Sequence, residues 1–348
     1  MTSAVRGWNR LREHNPLIGF VDACLRGPAQ VVFQNNPVSG LLILAALAWG
    51  AVEQGQPRVF GGAVLGLVVG TVTALVLRVD LDSWRKGLYG FSPVLTGLAV
   101  PTFLDDRPLM WLYLVLGAAA TTVVTLALNA VFQTWGLTAF TMPFVLTTWV
   151  LLLGAYQFDR FTVLTGTTPK FPGEGPVAGG RFDWDLVPTF LRGVSQVFLI
   201  NSWVAGLLIL AALLLNSRAS AAFAVLGTVG ATLLALWFGA DGASLDKGLY
   251  GFNAVLTAIA VGAVLHRPGA LVTAYTLFGI ALTLFVQVAL ATVLTPLAVP
   301  VLTGPFNIAT WLLLLPRRHF GPLPDRARIR ETVVSAVKRT IRPYAEER

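Results

Sequence analysis

The stretch KGLYGFSPVLTGLAV at residues 86–100 occurs a second time in the same chain, as KGLYGFNAVLTAIAV at residues 247–261. Eleven of the fifteen aligned positions are identical. Two more segments recur in the same order: QVVFQNNPVSGLLILAAL at 30–47 matches QVFLINSWVAGLLILAAL at 196–213, and FTMPFVLTTW at 140–149 matches LTGPFNIATW at 302–311. Three matched segments in one order exclude coincidence, so the chain contains two copies of one unit.

The apolar runs around these segments indicate a membrane protein. Hydrophobic residues make up 55% of the 348 residues and charged residues 12%, whereas soluble domains usually carry about 25% charged residues. Runs of spanning length lie near residues 38–54, 59–77, 87–104, 109–132 and 138–156, and again near 203–217, 220–238, 248–265, 268–294 and 299–316. They lack the two-residue alternation of barrel strands. The sequence therefore predicts an all-α integral membrane protein with ten transmembrane helices, five per copy.

An odd number of spans in each copy has a geometric consequence. The second copy must enter the membrane from the opposite side, which predicts two inverted repeats with a solute site between them near the midplane. The predicted organisation is a cytoplasmic N-terminal segment (1–24), a first repeat (25–156), an extracytoplasmic connector (157–190), a second repeat (191–316) and a basic cytoplasmic tail (317–348).

The positive charges predict the orientation. With both termini cytoplasmic, seven of the 25 Lys and Arg residues lie outside, which leaves 18 inside, and this bias favours a multi-pass protein of the plasma or inner membrane in that orientation. The net charge of +8 lies in loops and termini, so we predict no nucleic-acid partner. Residues 325–342 are typical of an amphipathic helix attracted to anionic membrane lipids.

The predicted membrane interior is free of charge. None of the 17 acidic residues lies in the middle of a predicted span, and the three histidines lie at span ends or outside. Ion-coupled carriers normally keep such groups in the membrane. The sequence also lacks a phosphate-binding GxxxxGK(S/T) loop and a metal-ligand cluster. These absences predict a protein that is not an enzyme, uses no cofactor or metal, and carries a neutral solute.

Neutral polar residues recur in matched pairs. Gln30 and Gln196 follow matching LRG triplets in apolar segments too short to cross a bilayer, which predicts a re-entrant pore helix in each copy. The alternative is a glutamine bonded to its own helix end. Thr141 and Thr303 each stand two residues before Pro-Phe, and they either line a pore or bond their own helix backbone.

Apolar and glycine positions beside these pairs complete the candidate site. The GLYGF segments at 87–91 and 248–252 permit either close backbone approach or small-residue helix packing, and we favour packing for the glycines. Six apolar residues fit a pore wall or a core equally: Val31, Phe33, Leu95, Val197, Leu199 and Leu256.

Together the GPAQVVFQNNPVSGLLIL segment (27–44), both KGLYGF copies and the two Thr-x-Pro-Phe segments resemble the urea transporter family over about residues 25–316. The resemblance implies two inverted five-span halves, each with a pore helix, in a homotrimer with one pore per subunit. It also implies that planar urea slides between apolar side chains while its NH₂ groups donate to a ladder of oxygens.

Carried over by position, the resemblance assigns roles to the candidate residues. Gln30 and Gln196 would contact solute at the pore-helix ends, and Thr141 and Thr303 would supply hydroxyls near two flanking sites. The slot walls would be Phe33, Val31, Leu95, Val197 and Leu256. Where the family often has a second aromatic residue, this sequence has Leu199 with Phe198 beside it, so either residue is a candidate there.

The chemistry of urea agrees with these residues independently. Burying urea in an apolar slot costs several kcal/mol unless oxygens replace its lost hydrogen bonds, and neutral oxygens do so without trapping it. Channels for ammonia, water or short amides, and an ion-coupled secondary transporter, are the alternatives. The polar pairs favour a solute with several donors, and therefore urea.

Overall fold

The structure, a computed structural model, describes residues 15–164 and 185–316. The predicted basic tail lies outside these residues, as do most of the N-terminal segment and part of the connector. Within the described ranges the chain is helical, and its one extended pairing is an isolated bridge between Leu104 and Val163. The predicted all-α class is therefore confirmed.

Among the described residues the α-helices form two runs of seven, and in both runs the fourth helix is the shortest and the sixth is the longest. The first run is α1 (Pro16–Val31), α2 (Pro37–Glu53), α3 (Pro57–Val76), α4 (Leu81–Arg85), α5 (Phe91–Phe103), α6 (Pro108–Gln133) and α7 (Met142–Ala155). The second is α8 (Leu186–Ser195), α9 (Trp203–Asn216), α10 (Arg218–Trp237), α11 (Gly242–Asp246), α12 (Phe252–Ile259), α13 (Ala270–Leu294) and α14 (Gly304–Leu314). A 3₁₀ turn, Gln196–Phe198, extends α8, and a π-helical turn, Ala260–Val264, extends α12.

Helix length separates two classes of apolar helix. In the part of the chain that the structure describes, four helices are long and apolar enough to cross a bilayer: α3, α6, α10 and α13 with its following turn. A fifth span results if α8 and α9, bent by 74° at their junction, count as one. The remaining apolar helices are α2, α5, α7, α12 and α14, each of 10–17 residues including the turn after α12. The ten-span count stays a prediction.

Four of the predicted spans begin later than hydropathy indicates. The spans near 87–104 and 248–265 start as helices at Phe91 and Phe252, because the GLYGF residues form a turn first. The last span of each copy is shortened in the same way by a left-handed residue, Phe140 (φ 46°) or Leu302 (φ 50°). Hydropathy does not register such turns, since their residues are as apolar as the helices that follow.

The GLYGF turns press against the helices that carry the glutamines. Gly87 and Gly248 have φ of 74° and 69°, a conformation that favours glycine. A Cβ at Gly87 would lie 2.7 Å from the Gly27 nitrogen, and one at Gly248 would lie 2.3 Å from the Gly193 nitrogen. Both close backbone approach and small-residue packing therefore occur at these turns.

Short helices before the turns are capped by matching aspartates. Asp80 accepts a hydrogen bond from the Ser83 nitrogen at 2.8 Å, and Asp241 accepts one from the Ser244 nitrogen at 2.9 Å. Hydrogen bonding to Ser83 lowers the pKa of Asp80 below its ordinary value. The capped helices α4 and α11 end at C-cap residues Lys86 and Lys247.

The equivalent helices α2 and α9 run antiparallel where they touch. The Ser39 hydroxyl near the start of α2 donates to the Ala212 carbonyl near the end of α9, at 2.8 Å. At the other end of the pair, Glu53, the last residue of α2, accepts a hydrogen bond from Ser202, the residue that caps α9.

Large apolar side chains also cover the outside of the protein. Trp237 is 80% exposed, Val76 is 73% exposed and Val150 is 69% exposed. Water would make so much exposed apolar surface costly, whereas lipid tails accommodate it.

Candidate functional site

The two glutamines are held by equivalent hydrogen bonds. Gln30, in the last turn of α1, donates from Nε2 to the Lys86 carbonyl at 2.8 Å, and Gln196 donates to the Lys247 carbonyl at 3.0 Å. Neither bond goes to the glutamine's own helix, so the alternative of self-capping is wrong. Because Nε2 is used, each side-chain Oε1 remains as an acceptor, and no donor among the described residues contacts it.

A left-handed residue follows each glutamine by three positions. Phe33 has φ 61° and Leu199 has φ 59°, which costs about 1–2 kcal/mol for a residue with a Cβ. Both side chains are half-buried, whereas Phe198 is completely buried, like Val32. By backbone conformation and burial, Leu199 rather than Phe198 is the counterpart of Phe33.

Phe33 lies in a cluster of three phenyl rings. Its ring centroid is 6.0 Å from that of Phe140 and 6.1 Å from that of Phe306, both edge-on, and Phe140 and Phe306 are 5.5 Å apart. Edge-on contacts suit the charge distribution of aromatic rings. The cluster joins the two copies, since Phe306 belongs to the second.

The two threonines meet at one place. The Thr141 and Thr303 hydroxyl oxygens lie 2.6 Å apart, and the residues are 3% and 2% exposed. Thr141 makes no side-chain capping bond to its own helix. Because α7 begins at Met142 and α14 at Gly304, the threonines also bring two helix N-termini together. The resemblance predicted hydroxyls near two flanking sites, whereas the structure places them in contact.

Asn253 and Gln287 fix the start of α14. Asn253 donates from Nδ2 to Gln287 Oε1 at 3.0 Å and to the Leu302 carbonyl at 3.1 Å, and its Oδ1 accepts from the Phe306 nitrogen at 3.1 Å. Gln287 in turn donates to the Leu249 carbonyl. This network satisfies one of the free N–H groups at the helix start.

A third amide, Asn307, contacts the threonine pair directly. Its Nδ2 donates to Thr141 Oγ1 at 3.1 Å and to the Thr303 carbonyl at 2.7 Å, and the residue is completely buried.

Sequence reasoning missed these three amides because it followed identities between the copies. Asn253, Gln287 and Asn307 align instead with Ser92, Thr125 and Val145. A search for positions where one copy has an amide and the other copy has a different residue would have found them.

The remaining predicted wall residues differ in burial. Val31 and Val197 are 1% and 2% exposed, and Leu95 and Leu256 are completely buried. Leu199 lies on a partly open cavity, together with Ala51, Gln54, Gln56, Val59, Thr102 and Ile200. The threonine pair is not part of that cavity's lining.

One buried ion pair lies near Gln30. Asp22 and Arg26 form a buried ion pair on α1, with Arg26 Nε 2.7 Å from Asp22 Oδ2, and Arg26 also donates to the Asn35 carbonyl at 3.0 Å. The pair ties α1 to the segment after it without placing net charge beside Gln30. No three His, Cys, Asp or Glu residues cluster as metal ligands in residues 15–164 and 185–316.

The similarity of this chain to known proteins extends over all residues of the candidate site. A family model described as "Urea transporter" matches residues 21–318. Urea transporter 1 of Ovis aries is 31% identical over 314 residues, covering 88% of this chain and 79% of that protein. Urea transporter 1 of Rattus norvegicus is 30% identical over 324 residues with the same coverage.

Proposed function

This chain belongs to the urea transporter family, and from that membership we propose that it conducts urea passively, through a narrow apolar slot lined by neutral oxygens. Members of the family are membrane transporters and not enzymes. The observation that carries the proposal is the buried contact between the Thr141 and Thr303 hydroxyls, one from each copy.

The candidate residues offer what a donor-rich neutral solute needs. Urea must lose its water to enter an apolar slot, and each lost hydrogen bond has to be replaced. The Oε1 atoms of Gln30 and Gln196 and the threonine hydroxyls are uncharged acceptors, so they bind N–H groups without retaining a cation. The two helix N-termini at the threonines add partial positive charge, which disfavours cations there.

Slot walls formed by Val31, Phe33, Leu95, Val197, Leu199 and Leu256 complete the proposed path. The rings of Phe140 and Phe306 contact Phe33 edge-on, and Phe140 directly precedes Thr141 in the chain. We include Leu199 in place of Phe198, because Leu199 has the conformation and partial exposure of Phe33.

We further propose that the two copies are inverted repeats of five spans each. Two sets of reciprocal contacts support this. One is the antiparallel pair α2 and α9. The other joins the final helices: Trp149 donates to the Pro300 carbonyl at 2.8 Å, and Trp311 donates to the Thr138 carbonyl at 3.0 Å. Each tryptophan thus reaches the segment before the other copy's helix, as a two-fold axis would require.

The proposed location, orientation and assembly of the protein follow from the family and from the distribution of Lys and Arg. We place both termini in the cytoplasm of a cell with the chain in its plasma or inner membrane, in contact with lipid. The proposed assembly is a homotrimer with one pore per subunit.

Flux into liposomes tests the proposed function. We expect purified protein to speed urea entry, measured by stopped-flow light scattering, with all ion gradients collapsed. We also expect Thr141→Val to lower that permeability about five- to tenfold, because the slot loses a hydroxyl worth about 1 kcal/mol.

The control is Thr232→Val, which removes a buried hydroxyl from α10. That hydroxyl has no hydrogen-bond partner among the described residues and lies outside the site, so the permeability of this variant should match that of the unmodified protein. Urea entry no faster than in empty liposomes would reject the proposed function. Entry that requires an ion gradient would identify a coupled carrier instead.

A further inference from the structure

Asn307 breaks the symmetry of the threonine pair. Thr141 and Thr303 occupy equivalent positions, and so do Phe144 and Phe306, but the next aligned pair is Val145 and Asn307. Both of these residues are completely buried. One side of the pair is therefore apolar, and the other carries a primary amide.

The orientation of that amide follows from its neighbours. The Asn307 nitrogen Nδ2 lies 2.7 Å from the Thr303 carbonyl oxygen, which can only accept. Turning the amide over would put two oxygens at that distance, so the nitrogen must face the carbonyl. Thr141 Oγ1, 3.1 Å from the same nitrogen, then acts as an acceptor.

This orientation leaves the amide oxygen without a donor. Asn307 Oδ1 is buried and has no hydrogen-bond partner among the described residues. Leaving a buried acceptor unpaired costs about 1–3 kcal/mol. Asn253, in the same copy, shows the contrast, since both its nitrogen and its oxygen are bonded.

A fixed amide with a free oxygen beside two hydroxyls matches a solute that brings N–H donors. We propose that Asn307 Oδ1 accepts an N–H hydrogen bond from urea at the threonine pair, which makes Asn307 a residue that determines specificity. The inference rests on the proposed function and assigns one oxygen of the slot to one copy only.

Acetamide is the probe that isolates this bond. It equals urea in shape but carries a methyl group in place of one NH₂, so it offers two N–H donors instead of four. If Asn307 Oδ1 accepts from one of the additional N–H groups of urea, the protein should be more permeable to urea than to acetamide. Loss of that acceptor should then lower urea permeability more than acetamide permeability.

The variant pair Asn307→Val and Asn307→Thr supplies the comparison. Val copies the first-half residue and has no acceptor. Thr has the same shape, and its hydroxyl can donate to the Thr303 carbonyl in the manner of helix threonines while its oxygen stays available. We expect Asn307→Val to reduce the urea-to-acetamide permeability ratio about five- to tenfold, and Asn307→Thr to keep most of the ratio.

A control variant and three contrary results test the role of Asn307. Thr232→Val should leave both permeabilities and their ratio unchanged. If both Asn307 variants lower urea and acetamide permeability equally, Asn307 has a purely structural role and the inference is wrong. Should Asn307→Val fail to fold, an unchanged ratio in Asn307→Ala would overturn the inference as well. Absence of urea flux in the unmodified protein would reject the proposed function, and the inference with it.

Discussion

Gln30 and Gln196 each donate a hydrogen bond from the side-chain amide nitrogen to a turn of their own copy, and the amide oxygen stays free. An amide is suited to this division, because it donates and accepts at opposite atoms. A carboxylate has no donor for the lysine carbonyl, and an apolar side chain has neither group. The residue type therefore anchors the side chain and keeps an oxygen available at once.

Replacing Gln196 with Met tests this double role. The side chains are similar in length, but Met cannot donate to the Lys247 carbonyl and offers no comparable acceptor. We expect urea permeability about five- to tenfold lower, since one hydrogen bond worth about 1 kcal/mol is lost. Stopped-flow measurement in liposomes gives the value. Gln133→Met, at the exposed end of α6, is the matched control, and equal permeability in the two variants would remove Gln196 from the site.

Repeated residues could be predicted from the sequence, but their contacts could not. The glutamine and threonine pairs were visible as recurrences. Thr141 and Thr303 are 162 positions apart, and only the packing of both copies brings their hydroxyls together. The choice between Phe198 and Leu199 likewise needed a backbone angle, because the two apolar neighbours differ in φ and not in hydropathy.

At the scale of elements, the GLYGF turn couples two parts of each copy. The turn follows the capped short helix, presents a lysine carbonyl to the glutamine, and lies against the backbone of α1 or α8. Its glycines therefore serve both a left-handed conformation and a close approach. Another glycine in the chain has the left-handed conformation without the close approach, so the two effects can be measured separately.

Gly248→Ala and Gly239→Ala form such a comparison. Both glycines have positive φ, 69° and 75°, but a Cβ at Gly239 would meet nothing within 4 Å, whereas one at Gly248 would clash with Gly193. We expect Gly239→Ala to lower the free energy of unfolding by about 1 kcal/mol through backbone strain alone. Overpacking adds about 1–3 kcal/mol for Gly248→Ala. Thermal unfolding in detergent measures both, and equal destabilisation would show that the close contact at Gly248 is unimportant.

At the scale of elements, helix existence was predictable and helix starts were not. The apolar runs indicated where α3 and α6 lie to within two residues. At α5 and α12 the prediction began four residues early, since a turn of Gly, Leu and Tyr is apolar enough to extend a hydropathy window.

At the scale of the whole molecule, the proposed inversion predicts that equivalent loops lie on opposite membrane faces. Asp82 and Ala243 occupy matching positions on the short helices α4 and α11, and both are exposed. If each copy has the proposed five spans, one of these residues should face the cytoplasm and the other should face outward.

Cysteine labelling tests this topology. In a Cys24→Ala background, which removes the chain's one cysteine, we expect Asp82→Cys and Ala243→Cys to react from opposite sides. A membrane-impermeant maleimide applied to intact cells should label Ala243→Cys, and Asp82→Cys should become labelled only after the membrane is opened. Labelling of both from one side would contradict the inverted arrangement. Urea flux of each variant verifies that the labelled protein is intact.

The amide of Asn307 opposite the apolar Val145 bears on how such a protein can arise. Two separate chains encoded by one gene, paired about a two-fold axis, would present the same residue at both places: two amides or two valines. Joining the units into one polypeptide frees each position to mutate by itself. An acceptor present in only one copy, where the two copies meet, can therefore evolve in a fused duplicate. It cannot evolve in a symmetric dimer of identical chains.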